Sequence, residues 1–252
     1  MDEPIGPSVP GQFVMLTIPG DDNQPPKDQI PLSISYPSPL QFAVKVVGDG
    51  TRALSQRRVG EDVLVRGPLG RGYPIEEFNS NCPVYLIGGG IGLSPLRYLA
   101  YRLKERGFDI TTFMGARSSD RLLFSEDFEK CGRVYTCTDD GSGGMRGWLP
   151  ELLESHSSDL DRSAIVAVCG NERMMVQVLT VIQEFFDPKN VYLALERDMK
   201  CGMGICGSCD FGGYRLCVDG PVVSYQQILS NPGMSTDFGR FGRDTTGKKT
   251  WI

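Results

Sequence analysis

Apolar residues in the first quarter of the chain come in short, turn-bounded runs. Residues 12–18, 31–36, 41–47 and 62–66 are separated by Pro and Gly, and Phe42, Val44 and Val46 alternate with their neighbours. Runs of this length with period-two alternation predict a small antiparallel sheet or barrel. Around residues 79–81 the pattern changes. Residues 84–87 predict a strand that leads through glycines into 96–106, where Leu96, Leu99, Ala100 and Leu103 recur at helical spacing. The alternation continues with a strand at 110–114, a helix after Ser119, a strand at 134–137, a helix from Leu149, a strand at 165–168, a helix over 172–186 and a strand at 191–195. Strands alternating with helices in this way specify a parallel sheet covered on both faces, with ligands at the carboxyl ends of the strands.

The pattern divides the chain into a β domain over 1–78, an α/β domain over 79–195 and a cysteine-bearing segment over 196–252 that closes on a polar tail at 245–249. At 252 residues and 40% apolar content, ordinary buried cores are within reach. The net charge is −5 and the 26 basic residues are spread out, so no electrostatic footprint for nucleic acid or an anionic membrane appears. No apolar stretch approaches the ~20 residues of a membrane span. Met1-Asp2-Glu3-Pro4 lacks the basic, then apolar, opening of a signal peptide, and a cytoplasmic location is expected.

Of the eight cysteines, Cys82, Cys131, Cys137 and Cys169 are scattered, while Cys201, Cys206, Cys209 and Cys217 crowd together. The C-x4-C-x2-C…C spacing is the plant-type ferredoxin arrangement, in which a loop wraps a [2Fe–2S] cluster and a fourth cysteine completes the thiolates. Gly202, Gly204 and Gly207 supply the backbone freedom for amides to point at sulfur. A structural zinc site is the alternative, but zinc ordinarily takes two close-spaced pairs, and Cys209 and Cys217 are too far apart in sequence to make the second.

A second signal is Gly88-Gly89-Gly90-Ile91-Gly92-Leu93-Ser94-Pro95, where a strand ends in glycines and a helix begins. Backbone amides there can meet a pyrophosphate with no side chain in the way. The order is G-x-G-x-x-P, not the dinucleotide fingerprint with its third glycine. Cys169-Gly170 ends a later strand over the same crevice, although a buried cysteine is more often a small core residue. Pro31-Leu32-Ser33 and Gly48-Asp49-Gly50-Thr51 fit ordinary strand and turn chemistry, and could also bring a hydroxyl and turn amides to a phosphate-bearing cofactor, while Gly67-Pro68-Leu69-Gly70-Arg71-Gly72-Tyr73 supplies a flexible loop with an aromatic face at the domain boundary. The single histidine, His156, lies among Glu, Ser and Asp and reads as a solvated surface residue, which leaves no Ser–His–Asp triad.

Taken in order, the Pro31-Leu32-Ser33, Gly50-Thr51 and Gly67–Gly70 segments, the Gly88–Pro95 turn and Cys169-Gly170 resemble the ferredoxin–NADP reductase superfamily. With the cysteine cluster followed by Asp219-Gly220-Pro221-Val222, the chain looks most like the electron-transfer subunits of NAD-dependent dihydroorotate dehydrogenases. The resemblance implies an FAD-binding β barrel, an α/β domain that docks NAD or NADP, and a plant-ferredoxin-like [2Fe–2S] segment facing an FMN-containing dehydrogenase partner in a heterotetramer. It implies that Pro31, Leu32, Ser33, Lys45, Val46, Gly50 and Thr51 contact FAD. Gly88, Gly89, Gly90 and Gly92 would face the nicotinamide nucleotide, Cys169 and Gly170 its reactive ring, and Cys201, Cys206, Cys209 and Cys217 would hold the cluster.

Two departures stand out. Ile30 occupies the place of an arginine that pairs the FAD phosphate in many relatives, and only ten residues precede Gly11 where relatives carry further strands, so the barrel is expected to be open at its start. The same module could serve a hydrogenase or another dehydrogenase, and the non-catalytic alternative is a zinc-containing binding module. Arg117-Ser118-Ser119 leaves NAD and NADP both open.

Overall fold

The computed structural model describes residues 5–20, 28–239, 241–243 and 249–251. Strand β1 (Phe13–Thr17) pairs antiparallel with β2 (Ile30–Ser33). The chain then makes the hairpin of β3 (Tyr36–Pro37) and β4 (Leu40–Gln41), passes through helix α1 (Asp49–Ser55), and returns as β5 (Leu64–Leu69) on the other side of β1. Alternation along β1 sends Phe13 and Met15 into one core and Val14 into another, beside Ile34 and Tyr98. Among the described residues this segment is a three-stranded sheet with a separate hairpin, not a closed barrel.

The alternation of Phe42, Val44 and Val46 does not become a strand. Ladder pairing stops at Gln41, residues 42–48 carry no regular structure, and Val44 and Val46 are exposed. Phe42 alone turns inward, against the small core of Val14, Ile34 and Tyr98. A strand needs a partner for its backbone groups, and among the described residues no strand pairs with this stretch. Just beyond it, Gly48–Thr51 opens a helix instead of a turn, because the Thr51 hydroxyl accepts the amides of Val47 (3.0 Å) and Gly48 (3.2 Å).

The second half follows the expected alternation: β6 (Val84–Gly89), α2 (Leu93–Glu105), β7 (Ile110–Ala116), α3 (Ser125–Cys131), β8 (Arg133–Thr138), β9 (Met145–Arg146), α4 (Leu149–Ser155), β10 (Ile165–Cys169), α5 (Glu172–Ile182) and β11 (Val191–Ala194). After the cysteine loop come β12 (Asp210–Phe211), β13 (Tyr214–Arg215), α6 (Leu216–Asp219), β14 (Val222–Ser224), α7 (Tyr225–Ser230), α8 (Pro232–Asp237) and the pair β15 (Phe241–Arg243) and β16 (Lys249–Trp251). Seven strands form one sheet in the order β14-β11-β10-β6-β7-β8-β9, parallel except for β14. Both faces are buried, which is why its strands read as continuous apolar runs. Helix α2 lays Leu93, Leu96, Leu99, Ala100 and Leu103 on one face of the sheet and turns Arg102 and Lys104 outward, while Arg97 pairs with Asp127 at 2.6 Å.

Helix α5 stops at Ile182, short of residue 186. The amides of Phe185 and Phe186 both bond to the Ile182 carbonyl, and the buried Phe186 ring meets Tyr85 at 5.9 Å. Aromatic burial there outweighs another helical turn. The polar tail expected at 245–249 lies, except for Lys249, outside the described residues, as does the Met1–Pro4 start. No described helix is long and apolar enough to cross a membrane.

The cysteine segment is welded to the rest. Cys209, Phe211, Leu216 and Cys217 share one core with Phe13 and Met15 of the first sheet and Val166 and Val168 of the second. A buried ion pair joins them: Arg197 Nη1 donates to Glu172 Oε1 at 2.6 Å, with side chains 1% and 2% exposed, and the guanidinium lies 4.6 Å from the Phe211 ring centre. Removing one partner of such a pair leaves the other charge desolvated without it. Glu172→Gln should therefore lower stability by about 3 kcal/mol in urea unfolding; a loss below about 0.5 kcal/mol would mean the pair is only as strong as a surface contact.

Candidate functional site

The loop from Cys201 to Cys209 curls so that its amides face its own sulfurs. Met203 N and Cys206 N approach Cys201 Sγ at 3.5 and 3.4 Å, and Gly204 N donates to Cys217 Sγ at 3.1 Å. This path needs Gly202 (φ +67) and Gly204 (φ +80) in the left-handed region, and space excludes side chains as well: a Cβ on Gly202 would lie 2.9 Å from Met15 Cγ. The amides of Cys206 and then Met203 hold the Cys201 thiol down to about 6, favouring thiolate. Burial pushes Cys217 up to about 12, helped by the Cys209 thiol.

Cys201 interacts with Cys206 on the outer side and Cys209 with Cys217 in the core, and Cys217 also feels the charge of Cys201. Among the described residues no three His, Cys, Asp or Glu side chains converge as a single-ion site requires. Two pairs of thiols and amides aimed at sulfur are the donor set that a two-iron cluster takes, two thiolates to each iron. The residues fit the group.

At the carboxyl edge of the parallel sheet, Gly88 pairs with Cys169 and Cys169 with Ala194. The glycines of the turn divide by cause. A Cβ on Gly88 would meet Leu93 Cδ2 at 2.5 Å, one on Gly89 would meet Met174 Cε at 3.0 Å, and one on Gly92 would meet the Cys169 carbonyl oxygen at 2.4 Å. Gly88 and Gly92 let β6, α2 and β10 close on one another, and Gly89 makes room for Met174 of α5. Gly90 differs: it has φ +55 and nothing within 4 Å of its Cβ position, so it forms the open lip of the turn. Cys169 is 7% exposed, and burial, then the Glu196 carboxylate, pushes its thiol up to about 12. It presents a neutral S–H. Tyr73, read in the sequence as an aromatic face on a flexible loop, is 3% exposed, and its hydroxyl has no hydrogen-bond partner among the described residues. Burial, and the Cys169 sulfur nearby, hold the phenol proton tightly.

On the first sheet, Pro31, Leu32 and Ser33 are half-buried in β2, and the buried Ser35 hydroxyl just beyond has no partner among the described residues. Lys45 and Val46 lie exposed on the unpaired stretch, while Gly50 packs its α-carbon side toward Ile30 and Thr51 fixes the start of α1. A buried hydroxyl with no partner among the described residues, and an exposed stretch without regular structure that carries Val44 and Val46, fit an elongated, partly apolar cofactor such as FAD.

Three features escaped sequence reasoning. Arg66 on β5 donates to the Cys201 carbonyl at 2.7 Å, Tyr73 is brought beside Cys169, and the Glu172–Arg197–Phe211 stack joins two segments. Arg66 stands directly before Gly67-Pro68, but no local pattern pairs a strand residue with a loop far along the chain. His156 is not a solvated surface residue; its ring is half-buried against Tyr135 at 4.1 Å, and Nδ1 sits 2.9 Å from the Leu152 carbonyl.

Comparison with known proteins gives a consistent picture. Residues 196–229 match the family described as the iron–sulfur cluster binding domain of dihydroorotate dehydrogenase B, and residues 86–179 match the oxidoreductase NAD-binding domain. The chain is 36% identical over 245 residues to a "Probable dihydroorotate dehydrogenase B (NAD(+)), electron transfer subunit" of Methanocaldococcus jannaschii, covering 96% of this chain and 88% of the relative. It is 33% identical to the corresponding subunit of Shouchella clausii, covering 88% and 87%. Among solved structures it is similar to a chain of an NADH-dependent reduced ferredoxin-NADP oxidoreductase, with TM-score 0.74, 30% identity, and 91% and 83% of the two chains covered. The ferredoxin reductase of carbazole 1,9a-dioxygenase, at 17% identity and TM-score 0.61 over 76% of this chain and 61% of that one, shares the fold.

The two kinds of glycine should respond differently. Gly92→Ala must displace the Cys169 peptide and is expected to cost about 3 kcal/mol in urea unfolding, whereas Gly90→Ala carries a backbone cost of about 1 kcal/mol with the packing intact; equal costs would undo the division. Because a thiol at about 12 carries only a trace of thiolate well below that pH, and that trace grows with pH, alkylation of Cys169, followed by peptide mass spectrometry, should be slow throughout and rise about tenfold per pH unit from about pH 7 to about pH 9. A fast rate that stays level across that interval would show a thiolate there instead.

Proposed function

The chain belongs to the family of electron transfer subunits of NAD-dependent dihydroorotate dehydrogenase B, and on that premise we propose that it carries electrons between a catalytic FMN-containing subunit and NAD, in a heterotetramer with that partner. The observation that carries this reading is the seat of the cysteine loop: its sulfurs receive backbone amides, and its first glycine lies against Met15, Arg66 and Leu69 of the first sheet. One redox site is thereby built directly onto the framework of another. When bound, the cluster supplies one-electron exchange, and FAD links it to two-electron chemistry with the nicotinamide.

In this reading Cys201, Cys206, Cys209 and Cys217 hold the cluster and residues 196–252 form its segment. Residues 1–78 are the FAD-binding unit, an open barrel in which Pro31, Leu32 and Ser33 flank the flavin and Lys45, Val46, Gly50 and Thr51 follow its chain and phosphates. Residues 79–195 dock the nucleotide through Gly88, Gly89, Gly90 and Gly92. The neutral Cys169 and Gly170 border the ring, where a thiolate would add an unwanted negative charge. Asp120 accepts the Ser118 hydroxyl and Asp140 accepts Ser142, which in turn receives the Ser119 amide, so a 2′-phosphate beside Arg117 would meet two carboxylates. That supports NAD over NADP. Exposed Met203, Ile205 and Val218 around the exposed Cys206 make an apolar rim suited to the catalytic subunit.

The likeness to a chain of the NADH-dependent reduced ferredoxin-NADP oxidoreductase favours one second reading, the same module on a different dehydrogenase. Co-purification from native cells separates the two by the identity of the bound subunit. Cys206→Ser is expected to abolish the reduced [2Fe–2S] EPR signal and transfer to the catalytic subunit while FAD content and NADH-dependent flavin bleaching persist. Loss of flavin with retention of the EPR signal would reverse the assignment of the two sites.

A further inference from the structure

The cysteine loop meets the first sheet at one charged contact. Arg66 uses Nη2 to donate to the carbonyl of Cys201 at 2.7 Å and to the side-chain carbonyl of Gln29 at 2.9 Å. The same nitrogen lies 3.2 Å from the Cβ position of Gly202, where Met15 and Leu69 also crowd in. Both acceptors are neutral, and no carboxylate among the described residues lies within ion-pair distance of Arg66. Arg215, whose guanidinium is 3.9 Å from the Cβ position of Gly207, is in the opposite situation. It is ion-paired with Asp210, so its charge is largely offset.

Arginine keeps its charge at every working pH. A two-iron, two-sulfide centre on four thiolates is dianionic when oxidised and trianionic when reduced, and such centres take their potentials from net charge, hydrogen bonds to sulfur and exposure. A fixed, uncompensated positive charge beside the centre therefore favours the more negative, reduced state. We infer that Arg66 tunes the [2Fe–2S] cluster, raising its reduction potential from the flavin-side sheet through the Cys201 peptide. It is a positioning residue: it touches the loop backbone and not the sulfurs. The strand that carries it runs on into Gly67-Pro68-Leu69-Gly70, so the charge is anchored to the segment assigned to FAD and moves with it. Gln29 completes the device by fixing the guanidinium without neutralising it. The inference rests on the cluster assignment proposed above.

The test is EPR-monitored potentiometry of the holoenzyme, with flavin content read by absorbance and stability by thermal unfolding. Arg66→Met is expected to shift the ratio of reduced to oxidised cluster by roughly tenfold toward oxidised at fixed potential, which for one electron is ~59 mV, with iron and FAD content unchanged. Gln29→Glu is nearly isosteric and places a carboxylate on the guanidinium; it should shift the ratio in the same direction by about threefold or more, and it decides the matter if the methionine variant does not assemble. A ratio within about twofold of wild type in Gln29→Glu, or in an assembled Arg66→Met protein, overturns the inference. So does loss of FAD with the cluster potential unmoved, which would make Arg66 a flavin ligand. A wild-type protein without any reduced-cluster signal would instead sink the cluster assignment itself.

Discussion

A backbone that must lay its own N–H groups against sulfur cannot also carry the side chains that would hold it in place. That constraint organises this molecule. Gly202 is barred from having a Cβ by both conformation and space and Gly204 is disfavoured by its conformation, and Cys206 and its neighbours face outward, so the loop has little to grip with. Its rigidity comes from neighbours. Met15, Arg66 and Leu69 support it from the first sheet, and Cys209, Phe211, Leu216 and Cys217 are sunk into a core shared with both sheets. Preorganised backbone dipoles act on sulfur only if they stay put, and here three separate stretches of chain are needed to keep them so.

The same logic runs along the carboxyl edge of the parallel sheet. Gly88 and Gly92 are small so that strand and helix can close on β10, and that closure is what brings the Cys169-Gly170 peptide beside the turn. Gly90 is left as the open lip. Burial keeps Cys169 protonated and leaves the Tyr73 hydroxyl without a partner among the described residues, so both groups stay neutral beside that edge. Because β14 returns from beyond the cysteine loop to pair with β11, the sheet that docks the nucleotide and the segment that carries the cysteines are parts of one framework.

Charge is used sparingly and locally in a chain that is acidic overall. Glu172 and Arg197 spend their charges on each other in the core, close to where α5 leaves Cys169-Gly170, and Arg215 is matched by Asp210. Arg66 is held by neutral oxygens. The difference matters because paired charges fix geometry, whereas an unmatched one projects a field.

The sequence by itself determined the parallel sheet, the helix after the glycine turn and the grouping of four cysteines, since each is written in local spacing: Leu96, Leu99 and Leu103 on one face, and C-x4-C-x2-C in one loop. It could not determine the fate of Phe42, Val44 and Val46, whose alternation is real but whose pairing depends on a neighbouring strand, nor the end of α5, which the packing of Phe186 on Tyr85 decides. The contacts of Arg66 with Cys201, of Tyr73 with Cys169 and of Arg197 with Glu172 and Phe211 join residues far apart along the chain. Periodicity reports only what a residue does within its own element. Which side chains meet across elements is set by how the sheets and the loop close around a common core, and only the tertiary structure decided that.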